Sequence, residues 1–133
     1  MADNALRPTY DTAGLHKRVK DGLSFNAVER LRKRLDLSAA EAGEVLHIAP
    51  RTFQRRKESG RLMPDESDRV LRLSKLFGKA LELFEGDLEA TRSWLNSPLA
   101  ALGGSTPLDL AQSEPGTNEV ETLIGRLEHG VFP

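Results

Sequence analysis

From Ser24 to Gly130 the apolar residues return every three to four positions, and prolines, glycines and polar helix caps cut that pattern into short runs. Residues three and four apart share one face of a helix, so such a chain folds as a set of short amphipathic helices. No stretch alternates apolar and polar residues long enough to read as a strand, and no segment repeats. The expectation is an all-α protein, and its 133 residues suit one compact body with two functional ends. With 38% hydrophobic and 29% charged residues, the chain is too apolar for disorder and too polar for a membrane protein.

Met1 to Tyr10 has no period and contains Pro8, which predicts a loose start, and a short helix fits around Ala13 to Lys20. Ser24 to Leu35 places Phe25, Val28, Leu31 and Leu35 on one face and Arg30, Arg32, Lys33 and Arg34 on the rest. Ser38-Ala39-Ala40-Glu41 is a capping box, in which the serine oxygen and the glutamate carboxylate each take a backbone N–H at the helix start. That helix must stop near His47, because Pro50 occupies a good first position for another helix, which runs to about Ser59 and ends at Gly60. Pro64, followed by Asp65 and Glu66, opens a longer helix whose face carries Val70, Leu73, Phe77, Ala80, Leu81 and Phe84; it reads as the central one. Asp87 caps a further helix containing Trp94 and stopped by Pro98. Leu102-Gly103-Gly104-Ser105 reads as a turn, and Thr106-Pro107-Leu108-Asp109 starts a short helix. Pro115 and Gly116 are expected to break that helix, leaving Asn118 to His129 as the last one, ended by Gly130.

Leu37 to Lys57 has the layout of a helix-turn-helix, in which a capped helix crosses the nucleic-acid backbone and a second helix enters the major groove. In the second helix Phe53 is the apolar anchor, while Arg51, Gln54 and Arg55 carry the side-chain types that match guanine and adenine edges. Thr52 suits a phosphate or a thymine methyl, and Arg56, Lys57 and Arg61 suit the phosphate backbone. Two positions depart from the usual layout: alanine is common where Gly43 stands, and glycine where His47 stands.

The charge pattern separates the two ends. Up to Leu62 there are 13 Lys+Arg against 8 Asp+Glu, and after it 6 against 12. The first part attracts a polyanion; the second would be repelled by DNA and suits a protein partner. No constellation of acid, base and nucleophile suggests an enzyme. His16, His47 and His129 are far apart in sequence, there is no cysteine, and neither a metal nor another cofactor is expected. Gly103-Gly104 lacks the lysine and the leading strand of a phosphate loop. Glu82, Glu85 and Glu89 at helical spacing read as a solvated acidic face before they read as paired carboxylates, and Trp94 as core before interface anchor. No apolar run approaches the roughly 20 residues of a membrane span, and the start lacks a secretory signal, so a cytoplasmic location is expected.

Taken together, Leu37-Ser38, Glu41, Leu46, Ile48, Arg51 to Arg56, Gly60, Glu66-Ser67, Arg69, Trp94-Leu95, Pro98, Leu102-Gly103-Gly104, Pro107, Gly116, Val120, Leu123, Leu127 and Gly130 resemble the MbcA/ParS/Xre antitoxin family. The likeness spans about Leu23 to Gly130. After the loose start and short helix read at 1–22, it implies an Xre-like helix-turn-helix (23–62) and a helical dimerisation and toxin-binding region (63–133). It implies a RES-domain toxin partner that destroys NAD, an operator that the antitoxin represses as a dimer or a larger toxin complex, DNA contacts at Arg51, Thr52, Gln54, Arg55, Arg56 and Lys57, and toxin contacts at Gly103, Gly104, Arg126, His129, Gly130, Val131 and Phe132. Arg126 is the one basic residue in the last forty, and is the candidate for an acidic toxin group. A free-standing dimeric regulator without a toxin is the alternative left open by the residues alone.

Overall fold

The computed structural model describes residues 12–130; the expected loose start at Met1 to Tyr10 and the candidate contacts Val131 and Phe132 lie outside them. Among the described residues there are helices and turns, with one isolated antiparallel bridge, Ser24 to Arg61, and no strand. The order is α1 (Thr12–Asp21), α2 (Asn26–Leu35), α3 (Ala39–Val45), α4 (Pro50–Ser59), α5 (Pro64–Leu83), α6 (Leu88–Leu95), a single 3-10 turn (Ala100–Leu102), α7 (Pro107–Leu110) and α8 (Glu114–Glu128).

α5 is the central element. Its 20 residues bury Val70, Leu73, Leu76, Phe77, Ala80 and Leu81, and α1, α2, α6 and α8 all pack against it. Phe77 is only 1% exposed, and removing an aromatic side chain of that size from water contributes about 3 kcal/mol. The buried apolar residues of α2 to α4 and those of α6 to α8 belong to one continuous core around this helix. The basic and acidic parts therefore share a core instead of forming two separately folded bodies.

Two elements begin elsewhere than the sequence pattern predicts. The second helix starts at Asn26, not Ser24, because residues 22–25 run beside residues 60–62: Phe25 N–H donates to the Gly60 carbonyl at 2.9 Å and Leu62 N–H to the Leu23 carbonyl at 2.8 Å. At the other end Pro115 and Gly116 do not break a helix but open one. Ser113 caps α8 by accepting the Gly116 N–H at 3.1 Å, and the proline sits in the first turn, where its missing N–H leaves nothing unpaired. Gly116 is there for packing, since a Cβ built on it would fall on the Leu110 carbonyl oxygen. That close approach seats α7 against α8. Gly116→Ala should accordingly lower stability by about 2 kcal/mol despite alanine's better helix propensity; a thermal unfolding curve matching that of the unchanged protein would refute the packing role.

Candidate nucleic-acid and partner interfaces

The helix-turn-helix is built from α3, the turn Leu46–Ala49 and α4. Both arms of the expected capping box are present: Glu41 N–H donates to Ser38 Oγ at 3.1 Å and Ser38 N–H to Glu41 Oε1 at 2.8 Å. The Ser38 backbone N–H stabilises the Glu41 carboxylate and contributes most to holding its pKa below the usual value, with the Ser38 side chain adding to it. The two unusual residues at the turn are both accommodated. His47 adopts the left-handed conformation at φ 56 that the turn requires, its ring exposed. A Cβ on Gly43 would lie 3.0 Å from the Ile48 carbonyl and 3.6 Å from Phe53 Cδ2, so glycine lets the turn and α4 close tightly over α3.

Phe53 is the only buried residue of α4, and its ring meets Phe25 edge-on, with centroids 5.2 Å apart and planes at 84°. Rotation at 100° per residue then fixes the opposite face. Arg51, Gln54 and Arg55 form an exposed stripe there, with Glu58 continuing it toward the C-terminus; Lys57 is also exposed and Thr52 is half-buried. Arg56 differs from its neighbours. Its Nε donates to Glu66 Oε1 at 2.8 Å, which fastens α4 to the first turn of α5 and raises the guanidinium pKa further. Arg61 also has an internal partner, donating through Nη1 to the Gly22 carbonyl at 2.8 Å.

The first two turns of α5 carry polar side chains whose long-range partners the sequence does not reveal, although Asp65 and Glu66 are expected at the helix start. Buried Glu66 also accepts the Met63 N–H at 2.8 Å. Buried Ser67 accepts the Leu23 N–H at 2.8 Å and donates to the Met63 carbonyl at 2.9 Å. Arg69 donates through Nε to the Leu46 carbonyl at 2.7 Å, placing a cation at the C-terminal end of α3. Arg92 of α6 does the same for α2, reaching the Arg34 carbonyl at 2.6 Å and that of Lys33 at 3.1 Å. The pairing of Glu66 with a helix start was readable in sequence; partners 20 or more residues away were not.

The toxin-contact candidates of the described residues fall in the C-terminal region. Gly103 and Gly104 are exposed, have φ 65 and 88, and would meet nothing with an added Cβ, so the backbone turn and not packing calls for glycine. Leu99 N–H donates to the Ser105 carbonyl at 3.1 Å and Gly104 N–H to that of Leu99 at 2.9 Å, closing the loop. The 3-10 turn leading into these glycines rests against α8. Between them lies a cleft of about 250 Å³ lined by Ala101, Leu102, Pro115, Asn118, Glu119, Thr122, Leu123 and Arg126, so that an acid and a base both border it. The turn and Arg126 are thus brought together. His129 and Gly130 are exposed at the end of α8, one helical turn beyond Arg126. Trp94 is half-buried at the margin of the core, its ring 5.9 Å from that of Phe84. Among the described residues no group of His, Asp or Glu could hold a metal ion, and no helix is long and apolar enough to cross a membrane.

The geometry defines a helix-turn-helix protein with an exposed polar stripe on its second helix, fused through a shared core to a smaller helical region. Residues 14–75 match the antitoxin Xre-like helix-turn-helix domain, and residues 79–130 the antitoxin Xre/MbcA/ParS C-terminal toxin-binding domain. An Antitoxin Xre of Yersinia enterocolitica is 36% identical over 115 residues, covering 86% of this chain and 78% of that one. One from Photorhabdus laumondii is 31% identical over 93% of this chain and 84% of its own. A protein of Sphingobium named Prs ADP-ribosylating antitoxin is 27% identical over 86% of this chain and 77% of its own. The chain belongs to the Xre/MbcA/ParS antitoxin family, as the sequence pattern led us to expect.

The capping box gives the helix-turn-helix a dependence on pH. Because the folded Glu41 pKa is lowered, its contribution is fully present above the unfolded carboxyl pKa and is lost as pH falls through the folded one. Glu41→Ala should therefore lower the unfolding temperature at neutral pH. The gap to the unchanged protein should close as the solution is acidified past the ordinary carboxylate range; a gap that stays constant would refute the charged cap.

Proposed function

We propose that this antitoxin silences a RES-domain toxin that consumes NAD, by covering its substrate pocket, and represses the operon encoding both proteins. The observation that carries the reading is the presence of two chemically different surfaces on one family fold. One is the exposed Arg51, Gln54, Arg55 stripe on the second helix of a helix-turn-helix. The other is the cleft shared by the 3-10 turn and Arg126 inside the part that matches a toxin-binding domain.

On the nucleic-acid side, Arg51 and Arg55 present guanidinium forks and Gln54 an amide, the groups that pair bidentately with guanine and adenine edges. Thr52 and Lys57 flank them toward the phosphates, and Arg56 keeps its terminal nitrogens for a backbone contact while Glu66 holds its Nε. A palindromic operator needs two such helices about one turn of DNA apart, so the repressing species is a homodimer or a larger complex with toxin. On the toxin side, Gly103 and Gly104 let the turn approach another surface closely, and Arg126 meets an acidic group at the mouth of the pocket. His129, Gly130, Val131 and Phe132 extend the same contact. Neutralisation by occlusion needs no catalytic group, cofactor or metal of the antitoxin's own. The name of the Sphingobium relative supports a target with ADP-ribosyl chemistry, which draws on NAD.

Two variants separate the surfaces. Arg51→Ala with Arg55→Ala should weaken operator binding about 100-fold or more, at about 1–3 kcal/mol per lost bidentate contact, while still preventing NAD loss when the toxin is co-expressed. Arg126→Glu should do the reverse, keeping operator affinity in a gel-shift assay and failing to protect NAD. Undiminished sequence-selective binding by the double variant would show that α4 does not read the operator. Harmless co-expression of the neighbouring gene product alone would favour a free-standing regulator.

A further inference from the structure

The DNA contacts proposed above all lie on α4, yet the structure attaches a second basic element to the end of that helix. α1 carries Lys17, Arg18 and Lys20, all exposed, against a single acid, Asp21, and none of the three forms an ion pair with another described residue. Leu15 and Val19 turn inward, half-buried, and α1 packs along α5. The segment leaving α1 is locked to the segment leaving α4. Gly22 approaches so closely that a Cβ on it would overlap the Leu62 carbonyl oxygen, and Gly22 is held at φ 89, so no other residue fits without a shift. Arg61 Nη1 bonds the Gly22 carbonyl at 2.8 Å, and the Ser24 to Arg61 bridge continues the contact. The C-terminal end of α1 is consequently fixed beside the C-terminal end of α4, and both Lys57 on α4 and Lys20 on α1 are exposed.

Resting on the reading of α4 as the operator-binding helix, we infer that α1 is a second nucleic-acid contact: Lys17, Arg18 and Lys20 bind the phosphate backbone of duplex DNA flanking the base-read half-site. Exposed lysine and arginine side chains on a helix that flanks the helix-turn-helix are complementary to phosphates, whose contacts fix position without carrying sequence information. Its continuity with α4 through the 22–25 and 60–62 segments fixes the register between the two contacts. The acidic surface of the C-terminal region is unsuited to the same role, whereas the α1 face would add affinity and salt dependence without adding sequence preference.

The test compares the full-length protein with the variant Lys17→Ala, Arg18→Ala, Lys20→Ala on operator duplexes with and without flanking base pairs, across a salt series. The expected result is a loss of about tenfold in affinity near 0.15 M salt and a slope of log K against log salt smaller by about 2.7, at ~0.9 for each of the three phosphate contacts. Discrimination between operator and scrambled core should not change, and shortening the flanks should erase the difference between the two proteins. Because these side chains are exposed, unfolding temperature and toxin neutralisation should be retained, and both serve as checks that the variant is folded. Equal affinity and equal slope for both proteins would overturn the inference while leaving α4 as the reader. Loss of toxin neutralisation with intact operator binding would overturn it in favour of a toxin contact. If the unchanged protein binds no duplex at all, the reading of α4 fails and this inference with it.

Discussion

The first two turns of α5 hold the helix-turn-helix in place, and they do so with polar and charged side chains. Glu66 ties down Arg56 of α4, Ser67 ties down the extended segment at Leu23, and Arg69 caps the end of α3 at Leu46. Neighbouring side chains at the start of one helix therefore fix three separate elements, each through a hydrogen bond in which at least one partner is buried or ionised. Such bonds are costly to break because the group left behind remains desolvated, about 1–3 kcal/mol for each. The apolar contact between Phe53 and Phe25 brings α4 to the core, but it leaves rotation about the helix axis loosely defined. The polar ties remove that freedom, and so set the direction in which Arg51, Gln54 and Arg55 point.

The same helix then runs on as the centre of the C-terminal region, so the helix-turn-helix and the part that matches a toxin-binding domain are built on one axis. Arg92 adds a second bond between them, from α6 to the carbonyl end of α2. The sign of the net charge changes between the first and second parts of the chain, while the core is shared. A protein of this design can present a cationic surface to DNA and a different one to a toxin without a hinge between them.

Much of this architecture was legible in the sequence because it is written in local rules. The capping box at Ser38, the proline at the start of α4, the length of α5 and the Asp87 cap all arise from interactions within one or two turns, and all are present. The misread at Pro115 has a physical cause: proline both stops a preceding helix and favours the first turn of the next, and only the Ser113 cap distinguishes the two. Gly116 could not be understood without the Leu110 carbonyl above it. The site residues divide in the same way. The outward stripe of α4 comes from the helical period once Phe53 is taken as the anchor. The commitment of Arg56 to Glu66, the tie from Arg69 to Leu46 and the meeting of Arg126 with the 3-10 turn depend on tertiary contacts that spacing does not encode.

Two partners using two separate surfaces is the central claim, and amide hydrogen exchange of the protein alone, with operator DNA and with its toxin reads both surfaces at once. Operator should slow exchange in residues 50–59 and leave the 3-10 turn and α8 unchanged, whereas toxin should slow exchange across residues 99–105 and 118–130 and leave α4 as it was. Protection of residues 50–59 by the toxin, with α8 exchanging as freely as in the isolated protein, would contradict it.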